Sequence, residues 1–492
     1  VHMGTRIGGR PPHLVLHLDI NKTVIMVDKA AGKSCRQLLN IVLANATWGR
    51  VVSSGSEDSS EKNRLSSKSS WHIESTSPSV QRPSPHLRSY TEFVEAKIPF
   101  GVSQTRKSVK KARDDLLKKF AEKGQPGERF YTFLGEFTKK LKLPEGVVGS
   151  KEAKDAGLMG SEHFILPSFL NFIRKLKESK RSFSLVFRTF GKDLEEVAKE
   201  FNAFCCGVHP LHRGFKLDGS DQQPDMRIHL ENNPKAMSTK DPTPDDTKDF
   251  QKDGEDTLHS RPAFGSIDRS GEKVALYIGT LEQRKSVSEE PRDFCEIRKD
   301  RPSHIISGRS RIYEYLKERT SKPCTLALRD CFIHWREYKQ VGEAGKLFIL
   351  DSINPTRRHE VFFDDNIRYS ETKIVDIRDF RDLSVPISVA RAINKFLVRA
   401  EPLESITNKD YFWEKLKLCE ESARRTRRTR TLMRNTLVRC KTAVKVFRAI
   451  RNTPMSPTKY VPWRKLPAVQ ALSSVETFDD DSENIETMRR MK

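Results

Sequence analysis

The sequence predicts an α/β fold, a Rossmann-like parallel sheet flanked by helices and interrupted by long inserted segments. Three observations carry that reading. Short continuous apolar runs recur along the chain, several end at a polar residue, and helical patterns opened by capping signals follow them. Residues 11–48 form the first part of this core, 182–217 the second and 263–400 the rest.

In chain order, residues 13–18 (HLVLHL) are the first expected strand, and Ser34 with Gln37 makes a capping box ahead of Leu38, Ile41 and Val42. Residues 52–90 are crowded with serine and cannot bury enough surface to offset ordering entropy, so they read as a disordered insertion. Residues 97–181 are mainly helical in pattern, with 109–123 and 130–143 as candidate helices, and sit between two strands as a cap-like insertion would. Residues 182–187 (SFSLVF) form the next strand, followed by a second expected capping box, Asp193 with Glu196, before Val197, Phe201 and Phe204. An acidic insertion at 218–262 is expected to be disordered. The runs at 326–328, 347–350, 361–363 and 374–377 then resume the sheet, a helical extension covers 401–423, and 471–492 is an acid-bearing disordered tail.

The 492 residues are 36% apolar, enough for a sizeable core, and 89 Lys+Arg against 66 Asp+Glu leave a net charge of +23. Eleven of those basic residues lie in 424–451 with no acid among them. There Met433, Leu437, Cys440, Val444 and Phe447 form one stripe of an expected basic amphipathic helix. Such a helix suits an acidic protein groove or an anionic membrane, or it packs on its own domain with the arginines in water. Nucleic acid is disfavoured, because no binding-module motif is present and no aromatics are interleaved with the basic run. Eight dispersed cysteines without a two-residue gap exclude a disulfide framework or a zinc knuckle. With no apolar stretch long enough to span a bilayer and no signal-like start, an intracellular, cytoplasmic protein is expected, with room for an address further upstream.

Ligands of open parallel sheets bind beyond the carboxyl ends of the strands. Those ends carry Asp19-Ile20-Asn21-Lys22-Thr23, Arg188-Thr189-Phe190-Gly191 and Asp364-Asp365-Asn366, two carboxylate clusters and a hydroxyl. His209 reads as a packed loop residue, and His334 with Trp335 as core or rim packing. Arg329 and Asp330 fit either the site or a structural ion pair.

The order of these motifs, hhhhDxNxT, then hhh(x)T with a following glycine, then a lysine ahead of hhhDDN, resembles the four motifs of the haloacid dehalogenase-like (HAD) superfamily, largely magnesium-dependent phosphatases and phosphotransferases. The resemblance covers residues 13–35, 182–209 and about 310–380. Within the superfamily, the VFFDDNI and LHLDINKTVIMVD segments resemble an uncharacterised group. The resemblance implies that Asp19 is a nucleophile forming an aspartyl-phosphate, that Thr189 and Lys346 bind the phosphoryl oxygens, and that Asp19, Asp364, Asp365 and the backbone carbonyl of Asn21 hold Mg2+. The substrate would be a phosphorylated small molecule or phosphoprotein. Asn21 departs from the pattern: phosphatases of the superfamily carry a general acid/base Asp there, and an amide cannot shuttle a proton. A slow phosphohydrolase is therefore expected, with a non-catalytic binding or scaffold protein on the same fold as the alternative.

Overall fold

The computed structural model describes residues 11–27, 32–52, 69–100, 105–230, 261–270, 273–283, 302–355 and 357–429. The chain divides into two units, 1–423 and 424–492. In the second, only 424–429 are described, and they are helical; the rest of the basic helix expected at 424–451 and the tail at 471–492 lie outside the described residues.

In the first unit the elements follow as β1 (His13–Asp19), α1 (Cys35–Ala46), β2 (Trp48–Val52), β3 (Ser70–Ile73), β4 (Arg88–Ser89), α2 (Tyr90–Lys97), α3 (Arg106–Leu117), α4 (Tyr131–Leu141), α5 (Lys151–Asp155), α6 (Pro167–Glu178), β5 (Phe183–Thr189) and α7 (Leu194–Cys205). Then come β6 (Phe264–Ser270), β7 (Lys273–Ile278), β8 (His304–Ser307), α8 (Arg309–Arg319), β9 (Thr325–Arg329), α9 (Phe332–Glu337), β10 (Lys346–Leu350), β11 (Arg358–Asp364), β12 (Val375–Asp379), β13 (Asp382–Pro386), α10 (Val389–Ala392), β14 (Leu397–Arg399) and α11 (Pro402–Thr407).

The central sheet has the order β14-β11-β1-β5-β9-β6-β7-β8, parallel from β14 to β6 and antiparallel thereafter. Both faces of β1 and β5 are covered, which is why their sequences are continuous apolar runs rather than alternating ones. From β1 the chain builds outward through β5, then crosses back to β11 on the other side. The switch point thus falls between β1 and β11, where such sheets bind ligands. The last registered pair there is Leu18 with Phe363, so Asp19 and Asp364 emerge side by side.

Three expectations need correction. The runs at 347–350 and 374–377 join a separate three-stranded sheet, β10-β12-β13. The serine-rich stretch 52–90 contains β3 and β4, because Trp71 is buried against Tyr90 and Phe120 and anchors a strand that its neighbours' polarity conceals; residues 53–68 lie outside the described residues. Within 218–262, Met226 and Ile228 are buried and residues 218–230 are described, while 231–260 are not. The insertion 97–181 is helical as expected, and the capping box of Ser34 with Gln37 is formed. Among the described residues, no helix is long and apolar enough to cross a membrane.

Candidate functional site

Four of the residues singled out in the sequence meet at the switch point. The Lys346 ammonium donates to Asp19 Oδ1 and to Asp364 Oδ2, the latter at 2.8 Å. Asp19, Asp364 and Asp365 each present a carboxylate oxygen within 4.8 Å of the others. Lys346 reaches this point because β10 starts hard against Ile374. A Cβ on Gly345 would lie 2.0 Å from the Ile374 carbonyl oxygen, and the Lys346 N–H donates to that same oxygen at 2.7 Å.

Arg188, fully buried at the end of β5, secures the arrangement. It grips Asp330 with two hydrogen bonds and donates to the Leu347 carbonyl at 3.1 Å, tying the central sheet to the strand that carries Lys346. Asp330 therefore belongs to a structural ion pair.

The charge balance is tight. Burial pushes the Asp19 carboxyl well up from its ordinary value; Lys346 pulls it back, and Asp364 and Asp365 push it further up. Burial raises Asp365 likewise, against the pull of Lys22. Burial also works against the charged form of Lys346, but the Asp19 and Asp364 carboxylates outweigh it and hold its ammonium above the usual lysine range. Three carboxylates face two ammonium groups, Lys346 and Lys22, the latter ion-paired with Asp365.

Sequence reasoning passed over Lys22. It occupies the left-handed region, φ 60°, in a tight turn where its N–H donates to the Ile25 carbonyl at 2.8 Å. Such a conformation in a non-glycine residue costs about 1 kcal/mol. The signal was its place three residues after Asp19.

A second group gathers beside the first. The Asn21 Nδ2 donates to Asp193 Oδ2 at 3.1 Å, and the Gly191 N–H donates to Thr189 Oγ1 at 2.8 Å. A Cβ on Gly191 would lie 2.5 Å from Asp193 Oδ2, 3.3 Å from Thr189 Oγ1 and 3.4 Å from Asn21 Nδ2, so the absence of a side chain there lets the three meet. The expected capping box at Asp193 is not formed: its side chain makes no cap bond to α7 and is engaged by Asn21 instead. The other amide atom, Asn21 Oδ1, is shut off from solvent and has no hydrogen-bond partner among the described residues.

The remaining residues are packing. His209 is fully buried and meets Glu200 at 3.3 Å. His334 is buried against Tyr338, while Trp335 stacks on Phe190, whose ring faces the Lys346 ammonium at 5.1 Å.

The donor set suits a hard divalent cation. Octahedral Mg2+ holds oxygens at about 2.1 Å, which places them roughly 3–4 Å apart, and the three carboxylates need only a small contraction to comply. No family model, curated protein or solved structure matches this chain.

Proposed function

We propose that the chain is a HAD-like, Mg2+-dependent phosphohydrolase that works slowly through an aspartyl-phosphate on Asp19. One observation carries the reading: Asp19 shares Lys346 with Asp364 and lies within 4.8 Å of Asp364 and Asp365, at the switch point of a parallel sheet. Asp19, Asp364 and Asp365 would hold the metal, with the Asn21 carbonyl as the expected fourth protein ligand. When bound, Mg2+ offsets the charge that develops on the transferred phosphoryl group.

The chain's own residues divide the work. An Asp19 carboxylate oxygen attacks phosphorus and the ester oxygen leaves, taking its proton from solvent. Lys346 favours the ionised form of Asp19 against burial and presents positive charge to the phosphoryl oxygens. Thr189 keeps its hydroxyl hydrogen available, since its oxygen accepts from Gly191. Water then attacks the aspartyl-phosphate, the P–O bond to Asp19 breaks and the water's proton passes to solvent or the departing phosphate, releasing phosphate and restoring the Asp19 carboxylate.

Asn21 cannot take that water's proton. It can orient the water: because Asp193 accepts only from the NH2 side of the amide, the carbonyl Oδ1 is left as a buried acceptor in want of a donor. Loss of one general acid/base typically costs about 10²- to 10⁴-fold, which leaves turnover slow rather than absent.

The test is hydrolysis of an aryl phosphate by the purified full chain with and without Mg2+. Slow, Mg2+-dependent release that Asp19→Asn abolishes is expected. Wild type indistinguishable from Asp19→Asn would establish the alternative, a binding or scaffold protein on this fold.

A further inference from the structure

A cleft of about 620 Å³ opens where residues 82–100, including β4 and α2, and Arg113 of α3 face the segment leaving Asp364 and Asp365. The volume suits a small ligand. Its charged lining comprises Arg82, Arg88, Arg113, Arg368 and Lys373 against Glu92 and Glu95, five cations to two carboxylates. Two of the cations are already committed. Arg82 pairs with Glu92 at 2.6 Å, and Arg113 donates to the carbonyls of Ile98 and Glu95 at 2.8 and 3.1 Å.

Arg88 and Lys373 differ. Neither side chain has a carboxylate within ion-pair distance among the described residues. Arg368 meets Glu371 only at 3.8 Å, beyond hydrogen-bonding range. Lys373 is half-buried and sits in the left-handed region, φ 51°, a conformation that persists only where the surroundings impose it. Burial, and then the neighbouring Arg368, push its ammonium below the ordinary lysine value. Glu371 and Glu95 pull it back only in part, so the charge of this partly desolvated cation beside a guanidinium is incompletely offset.

Contacts connect this cleft to the carboxylate centre. The Trp335 indole N–H donates to the Lys373 carbonyl at 2.9 Å, and Trp335 stacks at 5.3 Å on Phe190, the ring beneath Lys346. Arg368 follows Asp364 by four residues.

We infer that the cleft binds a second phosphate group of the substrate, through Arg88, Arg368 and Lys373, so that the substrate class is a phosphate ester bearing a further phosphate. This rests on the proposed phosphohydrolase reading for the scissile group alone. Guanidinium groups match phosphate geometry with paired donors, and ammonium groups add a point charge, so the trio suits phosphate better than a neutral or cationic ligand.

The experiment has two arms. Inorganic tripolyphosphate is titrated by calorimetry, without Mg2+, into the full chain carrying Asp19→Asn, so that binding is read independently of turnover. The expected result is saturable binding that Arg88→Gln with Lys373→Gln weakens about tenfold or more, the scale of losing one charge-assisted contact, while exposed Lys107→Gln leaves it unchanged. In the second arm, an aryl bisphosphate and its monophosphate are compared as substrates of the otherwise wild-type chain. The double variant should raise KM for the bisphosphate about tenfold and leave KM for the monophosphate and both kcat values unmoved.

Absent binding, or binding indifferent to the two changes, overturns the cleft proposal even where the monophosphate is hydrolysed. Cleft-dependent binding of tripolyphosphate by a chain that hydrolyses neither ester instead refutes the phosphohydrolase reading, and with it the assignment of the bound phosphate to a substrate.

Discussion

The Asp193 carboxylate accepts a hydrogen bond from the Asn21 amide at 3.1 Å, although 172 positions separate them in the chain. An acid and an amide are thus coupled where the resemblance leads one to expect a single acid. The pairing fixes which way the amide faces, and it explains why Asp193 leaves the end of α7 uncapped.

Asn21→Asp would set two carboxyl groups within hydrogen-bonding distance, and such a pair holds one proton between them. Aryl phosphate hydrolysis should rise by about 10- to 100-fold, because one general acid returns, and should fall on the alkaline side as the shared proton is lost. Combining Asn21→Asp with Asp193→Asn restores one donor and one acceptor with their places exchanged. The alkaline fall should then move, since amide donation favours the ionised carboxylate. Identical pH–kcat profiles for the single and double variants would refute the coupling.

Lys346→Met should leave the buried Asp19 and Asp364 carboxylates without their shared cation. Breaking a buried charge group in this way costs about 3–5 kcal/mol. A divalent ion can replace part of the missing charge, so Mg2+ should raise the Tm of the variant more than that of wild type. Thermal unfolding with and without Mg2+ decides it, and equal shifts in the two proteins would count against a metal at these carboxylates.

Two alanine substitutions should separate fold from chemistry. Gly345→Ala drives a Cβ to 2.0 Å from the Ile374 backbone carbonyl, which cannot yield without moving β10, so a stability loss of about 1–3 kcal/mol or more is expected. Gly191→Ala meets the tip of Asp193 at 2.5 Å and then Thr189 Oγ1 and Asn21 Nδ2 at 3.3 and 3.4 Å, all of them side-chain atoms, and the closest belongs to a side chain that can rotate away. Its Tm should change little while hydrolysis falls, because Asn21 loses its anchor. Denaturant midpoints and kcat measured side by side check both.

Proton uptake on unfolding should respond in opposite directions to His163→Gln and Glu401→Gln. Burial, then His209, lowers His163 to about 4, so its contribution to stability is present above the unfolded value near 6.5 and is lost as pH falls toward 4. Burial raises Glu401 to about 7, so its carboxyl favours the folded state at low pH and opposes it as pH climbs from about 4.3 to 7. At pH 5.5 unfolding binds a proton at His163 and releases one at Glu401. Calorimetry in buffers of different ionisation enthalpy should show uptake reduced by about one proton in the first variant and increased by about one in the second. A change of the same sign in both would sink the assignment.

Asp19, Thr189 and Asp364 were legible because a strand buried on both faces is written as a largely apolar run, and the one or two polar residues that follow it mark the sheet edge. Lys346 was legible through its glycine and its position ahead of LFIL. Local rules also placed the capping box of Ser34 and the helices of the insertion.

Other features depend on partners far away in sequence. β6 reads FGSIDRS, too polar for a core strand, yet Arg269 is buried because Gly345, Glu343 and Asp376 satisfy it from 74 to 107 positions away. The same holds for Lys22 with Asp365, Arg188 with Leu347, and Asn21 with Asp193. Periodicity and capping are encoded within a turn or two of chain, so the sequence by itself determined the α/β class and which acids stand at the sheet edge. Which charge meets which, and whether an apolar run joins the first sheet or the second, was decided by tertiary structure, because buried polar groups take their partners from whatever the fold brings near.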